Sequence, residues 1–286
     1  MGLVTTRFAP SPTGYLHLGH AFSAWTAFDF AHRHGGRFLL RIEDIDGGRC
    51  RPEYIDAIYE DLNWLGIYWP EPVRQQSRHM VAYGDALVQL QDLGVLYPCF
   101  CTRKEIQQEI ANADHAPHGP DGPLYPGRCR DLSSGEQGER LMSGASHALR
   151  LDMTQAIALL AQPLYWVDGD REEEITATPE MFGDVVLARK DSPTSYHLAV
   201  TVDDHIQKIS HVVRGADLRE ATHVHRLLQA LLGLQTPIYH HHGLMTDEQG
   251  KRYAKRDKSL TLRALRASGV TVDEIKARLK PTTLSS

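Results

Sequence analysis

The feature that most constrains the fold lies at residues 4–46. There a β-rich segment, "VTTRFA", meets a Pro/Gly loop, "PSPTG", then a helical stretch, then a second β-rich segment, "LLRIEDID". Leu18, Ala21, Phe22, Trp25 and Phe28 fall at helical spacing between them, and Gly35-Gly36 supply the stop. Two strands joined by one helix make a βαβ unit, whose right-handed crossover favours a parallel sheet. Ligands of such sheets bind at the carboxyl ends of the strands, where a loop enters the next helix. In this chain "HLGH" stands at that point.

Three positions apart on a helix, His17 and His20 lie about 60° apart and one turn along, off the apolar stripe. The unpaired amides and dipole of a first turn favour an anion, and imidazoles there can donate to phosphate oxygens. Gly19 lets a flat base approach the backbone. A bare H-x-x-H equally admits two solvent-facing histidines or half of a metal site, although a third ligand is not evident nearby.

The rest of the chain sets bounds. Over 286 residues, 42% hydrophobic and 23% charged content are those of a soluble globular protein. A net charge of -5 neither advertises nor excludes nucleic-acid binding, which needs only a local basic patch. No run is apolar enough to span a membrane, and no signal segment opens the chain. Three of the four cysteines cluster between Cys99 and Cys129, which argues for a reduced, cytoplasmic setting; Cys50 stands apart. Helices are expected over "PEYIDAIYEDLNWLG" and "MVAYGDALVQLQDLG". From Tyr97 to about Pro179 the texture turns loop-rich and reads as an insertion outside the main sheet. "DVVLARKD", "SYHLAVTVDD" and "ISHVVRGAD" read as strands. "DLREATHVHRLLQALLG" reads as a helix with Asp217 and Glu220 at capping-box-like positions.

"RFAPSPTGYLHLGH" resembles the first signature of the class I aminoacyl-tRNA synthetases in its glutamyl version. The likeness continues through "RIEDID", "YHLAVTVDD", "HVVRGADL" and the late basic loop, so it covers nearly the whole chain. It implies an α/β fold: a Rossmann-like parallel sheet with a zinc-bearing insertion and a short helical tail. The corresponding divisions are 1–96 and 180–245 for the catalytic domain, 97–179 for the insertion, and 246–286 for the basic loop and tail. It also implies ATP-dependent activation of L-glutamate, with magnesium, in which a carboxylate attacks the α-phosphate.

By that resemblance His17, Gly19 and His20 bind ATP, the histidines stabilising charge at the α- and β-phosphates. "KRYAKRD" matches the second signature with Lys255 as a phosphate contact. Arg252 and Ala254 depart from the pattern, which leaves the role of Arg252 open, and a solvated basic loop is the other reading. Arg7, Ala9, Ser11, Glu43, Tyr196 and Arg214 match the amino-acid contacts. Glu43 would take the ammonium and the arginines the carboxylates, with Arg214 on the side chain. A structural ion pair between Arg7 and Glu43 on adjacent strands is the alternative. Cys99, Cys101 and Cys129 suggest structural zinc, with His115, His118 or Tyr125 as fourth ligand; the family pattern selects Tyr125. Buried free thiols are the competing reading.

Few residues follow Leu260. This resembles the glutamyl-Q tRNA(Asp) synthetase family, and implies transfer of glutamate to queuosine in the anticodon of tRNA(Asp), by a monomer with no membrane partner. Lys251, Arg252, Lys255, Arg256, Lys258, Arg263 and Arg266 are phosphate contacts on charge alone. The alternatives are a minimal synthetase charging a tRNA 3′ end, a small-molecule nucleotidyltransferase, and a non-enzymatic tRNA-binding paralogue.

Overall fold

The computed structural model describes residues 2–102, 104–107, 118–120, 122–245 and 261–279. It opens with β1 (Thr5–Phe8), α1 (Leu18–Arg33) and β2 (Arg37–Ile42), then α2 (Pro52–Trp64), β3 (Arg74–Gln75) and α3 (Met80–Asp92). β1 pairs with β2, and β2 with β3, all parallel. The expected stripe on α1 is corrected in detail. The buried face is Leu18 and four alanines, Ala21, Ala24, Ala27 and Ala31, while Phe22, Trp25 and Phe28 flank it half-buried. Small side chains bring the helix close to the sheet. Gly36 is needed because a Cβ there would stand 2.3 Å from the Val4 carbonyl oxygen.

The middle of the chain holds β4 (Leu96–Cys99), β5 (His118–Gly119), β6 (Gly122–Pro123), α4 (Ser134–Met142), β7 (Ala148–Leu151) and α5 (Met153–Ala158). β8 (Tyr165–Asp168), β9 (Glu173–Thr176) and β10 (Val186–Ala188) follow. β10, β7 and β4 form a separate antiparallel sheet. Residues 165–176 correct the expectation that the whole loop-rich stretch lies outside the main sheet.

Those residues join the second half of the main sheet, built from α6 (Tyr196–Ile206), β11 (His211–Gly215), α7 (Ala221–Leu231) and β12 (Ile238–His242). β11, β12 and β8 run parallel, and β9 returns antiparallel on β8. The two halves meet where the Ser210 N–H donates to the Thr5 carbonyl at 3.0 Å. Two ladders, β3-β2-β1 and β11-β12-β8-β9, thus lie side by side with β1 next to β11. The chain leaves β1 in one direction and β11 in the other, which opens a crevice at their carboxyl ends. Two short helices, α8 (Leu262–Ala267) and α9 (Val272–Arg278), pack Leu262, Leu265 and Ile275 onto the α1/α2 core.

"SYHLAVTVDD" is not a strand. It is α6, begun by Ser195, whose Oγ accepts from the Leu198 N–H. Every residue from Leu198 to Asp204 is buried, so no polar face marks the helical period and the β-branched run misleads. The cap of α7 also differs: Glu220 is the N-cap residue but makes no side-chain cap bond, and Asp217 sits in a preceding 3₁₀ turn.

Candidate active site

At the carboxyl ends of β1 and β11 lies a cavity of about 660 Å³. It gathers Arg7, Ala9, Ser11, His17, Gly19, His20, Glu43, Tyr196 and Arg214 on its lining. Lys255 and Arg252 lie outside the described residues, as does His115.

His17 is the N-cap of α1 and His20 its third residue. The Gly19 N–H donates to His17 Nδ1 at 3.1 Å, and the His17 N–H donates to His20 Nδ1 at 3.2 Å. Both Nδ1 atoms are acceptors, so each neutral ring carries its proton on Nε2. The rings lie 3.8 Å apart. A Cβ at Gly19 would stand 3.0 Å from His17 Cε1, so this glycine makes room for the histidine ring as well as for any base.

One wall of the cavity, at Arg7 and Glu43, is backed by a buried ion network. Arg7 donates to both carboxylate oxygens of Asp204, at 3.1 and 3.4 Å. Arg41, fully buried, donates to Asp204 Oδ1 at 2.7 Å, to Gln207 at 3.0 Å, and to Glu43 Oε1 at 3.0 and 3.3 Å. Asp203, with an oxygen 3.7 Å from Arg41 Nε, accepts from Arg74 at 2.6 Å, from Gln76 at 2.9 Å and from the Tyr83 hydroxyl. Arg7 and Glu43 thus make no direct pair; Arg41 and Asp204 stand between them. Burial raises the Glu43 carboxyl above its usual range despite Arg41 and Arg7. For Asp204 the same burial is overcome by Arg7 and Arg41, and its carboxyl falls below the usual range.

A second wall, at Arg214, is backed by a histidine-rich cluster. Arg214, 5% exposed, donates to Thr222 Oγ1 at 2.7 Å, His225 Nδ1 at 3.3 Å and His241 Nε2 at 3.4 Å, with its guanidinium 5.3 Å above the Tyr239 ring. Among the described residues none of its partners is a carboxylate. Burial, reinforced by Arg214, holds His225 well below its usual range and brings His241 to about 3. Half-buried Tyr196 lines the cavity beside them, its hydroxyl raised by burial.

At the end of β4, Cys99 and the loop residues Cys101 and Cys129 bring their sulfurs within 4.8 Å of one another. Cys101 Sγ lies 3.4 Å from Cys129 Sγ and 3.5 Å from Tyr125 Oη, which accepts from the Cys129 N–H at 2.9 Å. A tetrahedral zinc–thiolate site needs sulfurs roughly 3.8 Å apart, so three thiols with a phenol oxygen alongside fit that ion. Cys50 is a separate free thiol.

Sequence reasoning missed Arg41, Asp203, Asp204, Thr222, His225 and His241. The signal was available: ionisable residues set inside apolar runs, as in "FLLRIED" and "LAVTVDD". Buried charge of that kind requires partners.

The family model for the catalytic domain of class I tRNA synthetases (E and Q) matches residues 3–274. The glutamyl-Q tRNA(Asp) synthetase of Rhodobacter capsulatus is 48% identical over 276 residues, covering 95% of this chain and 98% of that protein. The glutamate–tRNA ligase of Aquifex aeolicus is 36% identical over 271 residues, and the match spans 94% of this chain but 55% of that one. Among solved structures, the glutamate-tRNA synthetase from Elizabethkingia anophelis has a TM-score of 0.76 at 30% identity, covering 90% of this chain and 53% of that one. Among the described residues no helix is long and apolar enough to cross a membrane. The chain belongs to the class I tRNA synthetases (E and Q), in the group of the glutamyl-Q tRNA(Asp) synthetases, and is a ligase of the aminoacyl-tRNA synthetase type.

Proposed function

We propose that the chain activates L-glutamate with ATP and transfers it to queuosine in the anticodon of tRNA(Asp). The observation that carries glutamate activation is the pairing, in one cavity, of a buried carboxylate with a buried guanidinium that has only neutral partners. The first suits an ammonium and the second a side-chain carboxylate. The tRNA and the accepting base follow from the name of the Rhodobacter relative, nearly all of whose length is matched.

In this reading Glu43 holds the α-ammonium and Arg214 the side-chain carboxylate. Arg7, expected from the resemblance to meet a substrate carboxylate, is engaged with Asp204 instead, and in this reading keeps Asp204 and, through Arg41, Glu43 in register. The backbone around Ala9 and Ser11 forms the floor and Tyr196 a side of the pocket. The glutamate α-carboxylate attacks the α-phosphate of ATP, which arrives with magnesium; the α–β phosphoanhydride bond breaks, pyrophosphate leaves, and the glutamyl-adenylate then releases AMP as a hydroxyl of queuosine takes the glutamyl group. The Nε2–H groups of His17 and His20 donate to the phosphoryl oxygens as their charge grows, and Gly19 admits the nucleotide. Preorganised donors of this kind contribute on the order of 3 kcal/mol each to the transition state. Lys255 adds a cation at the phosphates. Cys99, Cys101, Cys129 and Tyr125 hold a zinc ion that supplies structural cross-linking; Cys101→Ser should lower bound zinc measured by elemental analysis.

The test is transfer of labelled glutamate, with ATP, to tRNA(Asp) that contains or lacks queuosine. Label confined to the queuosine-containing tRNA is the expected result. Equal label on both means 3′-end charging. Label on neither overturns the reading.

A further inference from the structure

The cavity presents two buried arginines in unlike company. Arg7 is matched by a carboxylate, Asp204, whereas Arg214 meets a hydroxyl and two imidazoles. A guanidinium only donates hydrogen bonds, so every atom it meets must be an acceptor. That fixes the protons on the histidine wall. His225 Nδ1 accepts from Arg214, which places the His225 proton on Nε2, and that nitrogen donates to His197 Nδ1 at 3.2 Å. Thr222 Oγ1 accepts from Arg214 and turns its own hydrogen toward His241 Nε2 at 3.4 Å. His241 Nε2 therefore accepts from both Thr222 and Arg214, and the His241 proton sits on Nδ1. Among the described residues that Nδ1 is buried with no hydrogen-bond partner. A tautomer that orphans its own N–H works against stability; what it secures is an acceptor for Arg214.

We propose that Thr222, His225 and His241 determine the specificity of the site: as neutral acceptors they fix the Arg214 guanidinium without cancelling its charge, which is left for a ligand carboxylate, so that glutamate is selected over glutamine. A carboxylate at either histidine position would hold the guanidinium equally well and neutralise it, as Asp204 does for Arg7. Glutamine, with a neutral side-chain amide, would then lose little and glutamate much. The strongly lowered proton affinity of both rings is consistent with their staying neutral. This inference rests on the reading of Arg214 as the side-chain anchor.

Amino-acid-dependent ATP–pyrophosphate exchange with L-glutamate and with L-glutamine tests it. The variants are His225→Asp, His225→Asn, His241→Asp, His241→Asn and Arg214→Gln, with thermal melts to verify folding. His225→Asp is expected to raise the KM for glutamate roughly tenfold or more with kcat within about threefold, and to reduce the glutamate-to-glutamine ratio of kcat/KM by a similar factor. His225→Asn keeps an acceptor without charge and should preserve the ratio within about threefold. The His241 pair repeats the comparison should a His225 variant fail to fold. Equal losses in the Asn and Asp variants, or no change in the ratio with Asp, would overturn the proposal. Arg214→Gln separates the two levels. If it raises the KM for glutamate while the Asp variants match wild type, only the acceptor cradle is wrong. If it leaves that KM unchanged, the anchor reading fails and takes the cradle with it.

Discussion

The two walls of the cavity handle buried charge in opposite ways. On one, Arg7, Arg41 and Arg74 face Glu43, Asp203 and Asp204, three cations for three anions. On the other, Arg214 is enclosed by neutral groups. A buried ion balanced by its neighbours is scaffold, because its charge is already engaged. A buried ion held by neutral acceptors keeps an unmet electrostatic demand, which only a ligand can satisfy. Glu43 stands between these conditions. Arg41 places both of its bonds to Glu43 on one oxygen, Oε1, and Glu43 also lines the cavity. The walls should therefore fail differently when damaged, one in stability and the other in recognition.

The largest effect is expected on the balanced wall. Arg41→Met removes a fully buried cation, takes from Glu43 the guanidinium bonded to it and leaves Asp204 with Arg7. Breaking a buried pair from one side costs about 3–5 kcal/mol, so urea unfolding should show a loss of that size. A loss below about 1 kcal/mol would mean that the network relaxes or admits water, and that it is less of a scaffold than its geometry indicates.

The mirror-image prediction concerns Arg214. Arg214→Gln deletes a buried cation that has no anion among its described partners, so unfolding stability should hold or rise slightly. Recognition should suffer instead. A charge-assisted bond to a carboxylate contributes roughly 1.5–3 kcal/mol, which corresponds to a fall of about 10- to 100-fold in kcat/KM for glutamate. A variant that unfolds as readily as Arg41→Met would erase the distinction between the walls.

Why one wall was legible in the sequence and the other only partly so follows from the same physics. Arg7, Glu43 and Arg214 end or follow strands of the parallel sheet, and the βαβ pattern with its loop-to-helix transition marks where such residues converge. Their partners come largely from α6 and α7. α6 is buried on all sides, so its helical period vanished and Asp203 and Asp204 were carried along in an apparent strand. His225 lies on the buried face of α7, where a histidine among Val224, Leu227 and Leu228 looks like part of the core stripe. Cys99, Cys101 and Cys129 were legible by composition, whereas β8 and β9 were not, since a single register contact between Tyr239 and Asp168 ties them to the main sheet.

A smaller effect should sharpen the contrast within the histidine wall. Thr222→Val removes the shortest bond to Arg214 and the hydrogen that Thr222 turns toward His241. One hydrogen bond to a charged group is worth about 1.5–3 kcal/mol, but His225 and His241 still hold the guanidinium, so the lower end of that range applies. Glutamate kcat/KM should fall by about tenfold, less than for Arg214→Gln. Exchange assays on both variants rank them, and an equal loss would make Thr222 the dominant support.

The smallest effect is one of pH, and it distinguishes the walls without a mutation. Burial, only partly offset by Arg41 and Arg7, raises the Glu43 carboxyl above the usual glutamate range. Protonation therefore begins at a higher pH than for an ordinary glutamate. Since only the ionised form pairs with an ammonium, the KM for glutamate should begin to rise at a higher pH than an ordinary glutamate would cause, as pH falls from neutrality into the acid range. The stability linkage has two signs on this wall. Glu43, raised in the folded state, costs stability at neutral pH, and that cost is relieved as pH falls through its folded value. Asp204, lowered by Arg7 and Arg41 against its burial, stabilises above its unfolded value and loses that contribution as pH falls through its folded one. The histidine wall should be silent over the same interval, because burial and Arg214 bring His241 to about 3 and keep His225 far below its ordinary range. Glutamate KM measured against pH, with the KM for ATP as the control for His17 and His20, checks this. A steep inflection near the ordinary histidine value, seen for glutamate but not for ATP, would mean that the imidazoles around Arg214 titrate. The wall taken as neutral would then carry charge of its own.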